Sequence, residues 1–182
     1  MNPIAILLLM LPLVAGAAGC PSLLKYKQAP LEGGEPIDFC KAYQGQVILA
    51  VNTASQCGYT GQLKGLEALY QRYKGQGLVV LGFPSNDFKQ EYANAEKTNA
   101  VARKEYGVTF PLLATGRVKG DEAGGFFKAL GEASHSPPQW NFFKYLVGRN
   151  GEVIKAYPSA VSPEDPLLNL AIEAALAAPP PP

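Results

Sequence analysis

The apolar positions of this chain gather into two short unbroken runs, Val47-Ile48-Leu49-Ala50-Val51 and Leu78-Val79-Val80-Leu81-Gly82. Runs of this length without polar alternation read as strands buried on both faces. Between them, Leu63, Leu66, Leu69, Tyr70 and Tyr73 form an apolar stripe at helical spacing, which predicts a helix over 62–73. A second helix is expected around 94–106, then a short extended piece at 109–113 and a helical stretch at 125–130. Apolar runs at 143–147 and 152–157 flank Arg149-Asn150-Gly151, and an Asn-Gly pair between strands signals a hairpin. Pro166 stands near the first turn of a last helix, expected over 166–176. This order predicts an α/β fold: a central mixed sheet, parallel in one half and antiparallel in the other, flanked by helices.

The ends of the chain follow different rules. Residues 4–14 are an apolar run, followed by Ala15-Gly16-Ala17-Ala18-Gly19, which reads as a signal peptide over 1–19. The run is short for a bilayer span, and no Lys or Arg precedes it. Ala17-Ala18-Gly19-Cys20 resembles a bacterial lipobox, with Ala17 where that pattern usually carries Leu. Cys20 is therefore either a lipidated residue whose acyl chains tether the protein to a membrane, or a cysteine just past an ordinary cleavage site. Both readings place the protein outside the cytoplasm, as a periplasmic protein or a membrane-anchored lipoprotein. The folded domain is expected over 31–178. Residues 179–182 are a proline tail that cannot join a core.

Composition narrows the function classes. The chain has 182 residues, 47% hydrophobic and 17% charged, with a formal net charge of +1. That suits one domain with a substantial core and gives no electrostatic footprint for nucleic acid. Of the three cysteines, Cys40 lies in Ile37-Asp38-Phe39-Cys40-Lys41, before the first core strand. It reads as a small half-buried hydrophobe, or as a partner for an oxidised Cys57.

Cys57 is the candidate for chemistry. The segment Val51-Asn52-Thr53-Ala54-Ser55-Gln56-Cys57-Gly58-Tyr59-Thr60 puts it just beyond the first strand and ahead of helix 62–73. Open α/β sheets build their sites at the carboxyl ends of strands. The positive end of a following helix favours thiolate, the reactive form. Phe83-Pro84-Ser85-Asn86-Asp87-Phe88-Lys89-Gln90-Glu91 follows the second strand, and Trp140-Asn141-Phe142-Phe143-Lys144-Tyr145-Leu146-Val147 opens the hairpin.

In this order and spacing the three segments resemble the glutathione peroxidase family, over roughly Leu31 to Ser162, and the element order is the thioredoxin-like one. The resemblance implies a thiol-dependent peroxidase acting on hydrogen peroxide and organic or lipid hydroperoxides. Cys57 would attack the O–O bond and become a sulfenic acid. Gln90, Trp140 and Asn141 would surround the sulfur, their amides and indole N–H acting as hydrogen-bond donors. No prosthetic group or metal is implied; glutathione or another thiol is the co-substrate. The implied partners are the peroxide and the thiol reductant, with no nucleic acid. The short stretch between Pro111 and Trp140 resembles monomeric members of the family, whose shallow sites suit bulky substrates.

Departures from the family pattern matter as well. Ser85 and Asp87 replace the usual Cys and Gln. Asp87 would raise the thiol pKa if it lay beside the sulfur, and would do nothing if it pointed away. Asn86 is expected to brace this loop. No cysteine occurs in 94–106, where members that use thioredoxin keep a resolving cysteine. The sole histidine, His135, reads as a solvated loop residue, which leaves a Cys-His hydrolase unsupported. Two other functions stay open: a thiol–disulfide oxidoreductase, although Thr60 stands where Cys-x-x-Cys needs its second cysteine, and a non-catalytic redox-sensing lipoprotein.

Overall fold

The computed structural model describes residues 19–180. The expected signal peptide therefore falls outside the described residues except for Gly19, as do the last two residues of the proline tail. Packed elements begin before residue 31. A 3-10 turn, Ser22–Leu24, buries Leu23 and Leu24, and it leads into an antiparallel ribbon of β1 (Lys27–Gln28) and β2 (Ile37–Asp38). Asp38 then caps the short helix α1 (Phe39–Tyr43), its carboxylate accepting from Lys41 N–H at 3.2 Å.

The sheet follows the apolar runs. β3 (Val47–Thr53) pairs in parallel with β4 (Leu78–Pro84), and α2 (Gln62–Tyr73) makes the crossover between them. The expected helix at 94–106 divides into α3 (Ala95–Ala100), capped by Asn94, and a π-helical turn, Val101–Glu105. The 109–113 piece is not a full strand. Its backbone joins the sheet through a parallel bridge between Leu112 and Gly82, and it bridges Leu113 to Pro30. Helix α4 (Gly125–Ser134) runs one turn past the expected end and stops at His135, an exposed residue in left-handed conformation. β5 (Lys144–Val147) and β6 (Val153–Tyr157) form the hairpin, and α5 (Pro166–Ala177) closes the chain. The strand order is β4-β3-β5-β6, with β5 antiparallel to both neighbours.

Because successive strand residues point to opposite faces, β3 feeds two cores. Val47, Leu49 and Val51 meet Leu63, Leu66 and Leu69 of α2 and Leu168 and Ile172 of α5. Ile48 and Ala50 meet Phe39 of α1 and Phe126, Phe127 and Leu130 of α4. On that second face Phe83 packs against Phe127 with ring centroids 4.8 Å apart. Each fully buried Leu or Phe contributes about 1.5–3 kcal/mol by leaving water. No helix among the described residues is long and apolar enough to cross a membrane.

Cys20 and Cys40 form a disulfide, with Cα atoms 5.8 Å apart. Cys40 is therefore neither a free small hydrophobe nor the partner of Cys57. It sits on α1, and Cys20 packs on the aromatic face of the sheet, whereas Cys57 packs on the other face.

Candidate active site

The topology brings the three motifs to one end of the sheet. Cys57 follows the carboxyl end of β3, and the 85–91 loop follows the carboxyl end of the parallel neighbour β4. β5 is antiparallel, so its amino end, with Trp140 and Asn141 just before it, lies at that same edge. The register pairs Val51 with Lys144, and Phe142 N–H donates to Asn52 O at 2.6 Å.

A tight turn presents Cys57. Thr60, buried, places its hydroxyl 3.1 Å from Cys57 N, 2.9 Å from Ala54 O and 2.7 Å from Cys57 O. The hydroxyl thus accepts from the Cys57 amide and donates to a carbonyl of the same turn. Tyr59 N–H lies 3.4 Å from the sulfur, the one hydrogen bond to Sγ among the described residues. The thiol is half-buried and is the free cysteine of the described chain.

Gln90 is tied to this turn by its main chain and to the third motif by its side chain. Gln56 N–H donates to Gln90 O at 2.9 Å, and Asn141 Nδ2 donates to Gln90 Oε1 at 2.8 Å. With its oxygen occupied, the Gln90 amide keeps its N–H donors for another acceptor. Asn141 is fully buried and spends its own donor on Gln90, so it orients the glutamine and makes no hydrogen bond to Sγ. Trp140 is 41% exposed and packs on Phe88 with centroids 5.3 Å apart. Lys119 Nζ lies 4.6 Å over the Phe88 ring, extending this open ledge. Asn86 Oδ1 accepts from Glu91 N–H at 3.2 Å, which closes the loop across Gln90.

Asp87 faces away from the Cys57 turn. Its side chain is 2% exposed and accepts from Val118 N–H at 2.7 Å, Lys119 N–H at 3.1 Å and the Arg117 guanidinium. Burial alone would raise its pKa. The two backbone donors and Arg117 outweigh burial and hold the carboxyl below the usual carboxylate range. Its charge is spent on anchoring the 117–119 segment. No group of three or more His, Cys, Asp or Glu is poised to hold a metal among the described residues.

The glutathione peroxidase family model matches residues 23–131, more than half of the chain. The chain belongs to the glutathione peroxidase family. Among its relatives, the glutathione peroxidase-like peroxiredoxin gpx1 of Schizosaccharomyces pombe is 45% identical, over 76% of this chain and 91% of its own length. The hydroperoxy fatty acid reductase gpx1 of Synechocystis is 41% identical, over 72% and 84%. The crystal structure of Trgpx in apo form superposes with a TM-score of 0.71 at 34% identity, covering 88% of this chain and 99% of that one. The crystal structure of T. cruzi GPX1 gives a TM-score of 0.68 at 26% identity, over 87% and 98%. This is accordingly a thiol-dependent peroxidase on a thioredoxin-like fold.

Two site residues escaped sequence reasoning. Thr60 drew notice only as the residue in place of a second cysteine, yet it holds the Cys57 turn. Asn52, at the end of β3, clamps the third motif through its main chain and through Nδ2, which donates to Trp140 O at 3.0 Å. Asn52 lies in a strand buried at every position and Thr60 in a turn before α2, so neither hydrophobic periodicity nor motif spacing gives a sign of either role.

Proposed function

We propose that this protein reduces hydrogen peroxide and lipid hydroperoxides at Cys57, with an external thiol as reductant, outside the cytoplasm. The observation that carries the reading is the Asn141–Gln90–Gln56 chain of hydrogen bonds, which ties the second and third motifs to the residue before the one unpaired cysteine.

The Cys57 thiolate attacks the terminal peroxide oxygen. A sulfur–oxygen bond forms, the O–O bond breaks, and sulfur is oxidised to sulfenic acid while an alkoxide leaves. The Gln90 amide and the Trp140 indole N–H stabilise the developing charge. Neither is a strong acid, so the proton released by the thiol reaches the alkoxide through water and yields the alcohol. One reductant thiol then displaces water from the sulfenic acid to give a mixed disulfide. A second releases Cys57 as thiol and leaves as the disulfide of the reductant. Because Cys20 and Cys40 are paired on the other face, no internal thiol takes this role among the described residues.

The exposed Trp140–Phe88 ledge leaves room for a bulky acyl hydroperoxide, and the similarity to a hydroperoxy fatty acid reductase supports that substrate class. The short 111–140 connection supports a monomer. The signal-like first 19 residues support export, as does a disulfide, which persists in oxidising compartments. A lipidated Cys20 carries a thioether and cannot hold the bond to Cys40, so tether and disulfide exclude each other. Intact mass of the mature protein separates them.

The central test is stopped-flow oxidation of the mature protein by hydrogen peroxide and by a fatty acid hydroperoxide, followed by mass. Fast addition of one oxygen at Cys57, reversed by glutathione or thioredoxin, is expected. A rate no better than that of a free thiol overturns the reading.

A further inference from the structure

The most expensive residue near the site is one that the reaction above does not use. Lys144 opens β5, is 0% exposed, and lies on the same sheet face as Cys57, among Val51, Phe142 and Leu146. A buried ammonium with few partners is strongly disfavoured. The hydrogen-bond partner of this amine among the described residues is Phe142 O, at 2.7 Å. Phe142 is itself unusual, with φ of 62°, a left-handed conformation that an aromatic residue rarely takes. Such a backbone costs on the order of 1–3 kcal/mol and persists only where its surroundings hold it.

Both polar groups of that strained residue are gripped. Its N–H donates to Asn52 O and its carbonyl accepts from Lys144. The preceding residue is Asn141, whose amide aims at Gln90 and whose Oδ1 is buried with no partner. An ordinary φ at Phe142 would rotate the peptide that follows Asn141 and swing its side chain off Gln90. Strain, a buried amine and an orphaned carbonyl oxygen thus meet within four consecutive residues at the sheet edge that also carries Cys57, the kind of place where a fold gives up local stability for function.

We propose that Lys144 is a positioning residue for the peroxide site: its buried amine grips the Phe142 carbonyl, holds the left-handed turn and so keeps the Asn141 amide on Gln90. The inference rests on the peroxidase reading. Burial pushes the Lys144 pKa down to about 7, with Glu164 opposing. Much of the population therefore carries a neutral amine at neutral pH, which tolerates a single acceptor. Tyr157 is its register partner on β6, and β3 presents the uncharged Val51.

The test is a double-mutant cycle on the rate of Cys57 oxidation by hydrogen peroxide. Lys144→Met keeps the shape and removes the donor, and should slow oxidation by about ten-fold, as expected for a misplaced charge-stabilising donor. Lys144→Gln restores a donor and should return the rate to within about three-fold of wild type. In an Asn141→Ala background, Lys144→Met should change the rate less than about two-fold, because the two residues act through one contact. An unchanged rate in Lys144→Met, or effects that multiply in the double mutant, overturns the proposal. So does loss of the fold in both Lys144 variants, which would make the lysine a general scaffold residue. Hydrogen exchange of the Asn141 side-chain amide, slow in wild type and fast in Lys144→Met, reads the turn without any peroxide. A wild-type rate no better than that of a free thiol would remove the peroxidase reading while leaving this second readout to judge the turn.

Discussion

Cys57 and the Cys20–Cys40 pair occupy opposite faces of one sheet, and their surroundings differ in kind. Cys57 stands in a turn made of polar contacts, with the Thr60 hydroxyl and Tyr59 N–H around it, Gln90 O holding the preceding Gln56 N–H, and a half-open approach. The disulfide lies over a face lined by Phe39, Phe83, Phe126 and Phe127, where it joins the segment before β1 to α1. One setting provides donors and access, so sulfur chemistry can occur. The other provides apolar packing and a second sulfur, so the thiol is spent on a crosslink. The lesson is that cysteine type is decided by what the fold places around it.

The comparison breaks most sharply at Cys57. Cys57→Ser should lower peroxide consumption on the order of a thousand-fold or more, since no other free thiol takes over. Retained turnover would move the chemistry to the other face. Cys40→Ser tests that face. Opening a crosslink between residues 20 apart should cost about 3 kcal/mol of stability by denaturant unfolding and leave the Cys57 oxidation rate unchanged. A fall in oxidation rate would mean that the faces are coupled.

Asp87 offers a finer cut. Replacing it by Asn removes a buried charge that holds two backbone amides and Arg117, and should cost about 2 kcal/mol. Its pKa is lowered in the fold, so its contribution is complete above the unfolded carboxylate range. It is lost as pH falls through the depressed folded value. Wild type should therefore lose stability faster than Asp87→Asn as pH drops below about 4, the unfolded carboxylate pKa. Parallel pH curves would show that the anchoring charge carries no weight. The smallest effect is expected from Gln90→Ala, with oxidation slowed by about ten-fold, equivalent to about 1.4 kcal/mol, and the fold unchanged. An unaltered rate would remove Gln90 from the site.

Much of the frame was legible along the chain. The strands near 47–51 and 78–83 and the helix at 62–73 stood out because burial on both faces needs unbroken apolar runs, and because a helix on a sheet needs a stripe. Cys57, Gln90, Trp140 and Asn141 stand out as candidates because three motifs occur together in order. Two-residue strands such as β1 and β2 carry no period, so the N-terminal ribbon was not visible. The extended piece at 109–113 looked like a strand because its apolar residues do pack inward, although most of its backbone does not join the ladder.

Element type, the mixed α/β class and the candidate reactive cysteine are written in local patterns, since hydrophobic spacing and short motifs act over a few residues. Which sulfurs pair, where Asp87 points, and how Asn52, Thr60 and Lys144 hold the turns are not. Each depends on groups brought together across the register of β3 and β5, or from elements tens of residues apart. Hydrogen-bond direction and side-chain burial there exist only once the sheet has closed.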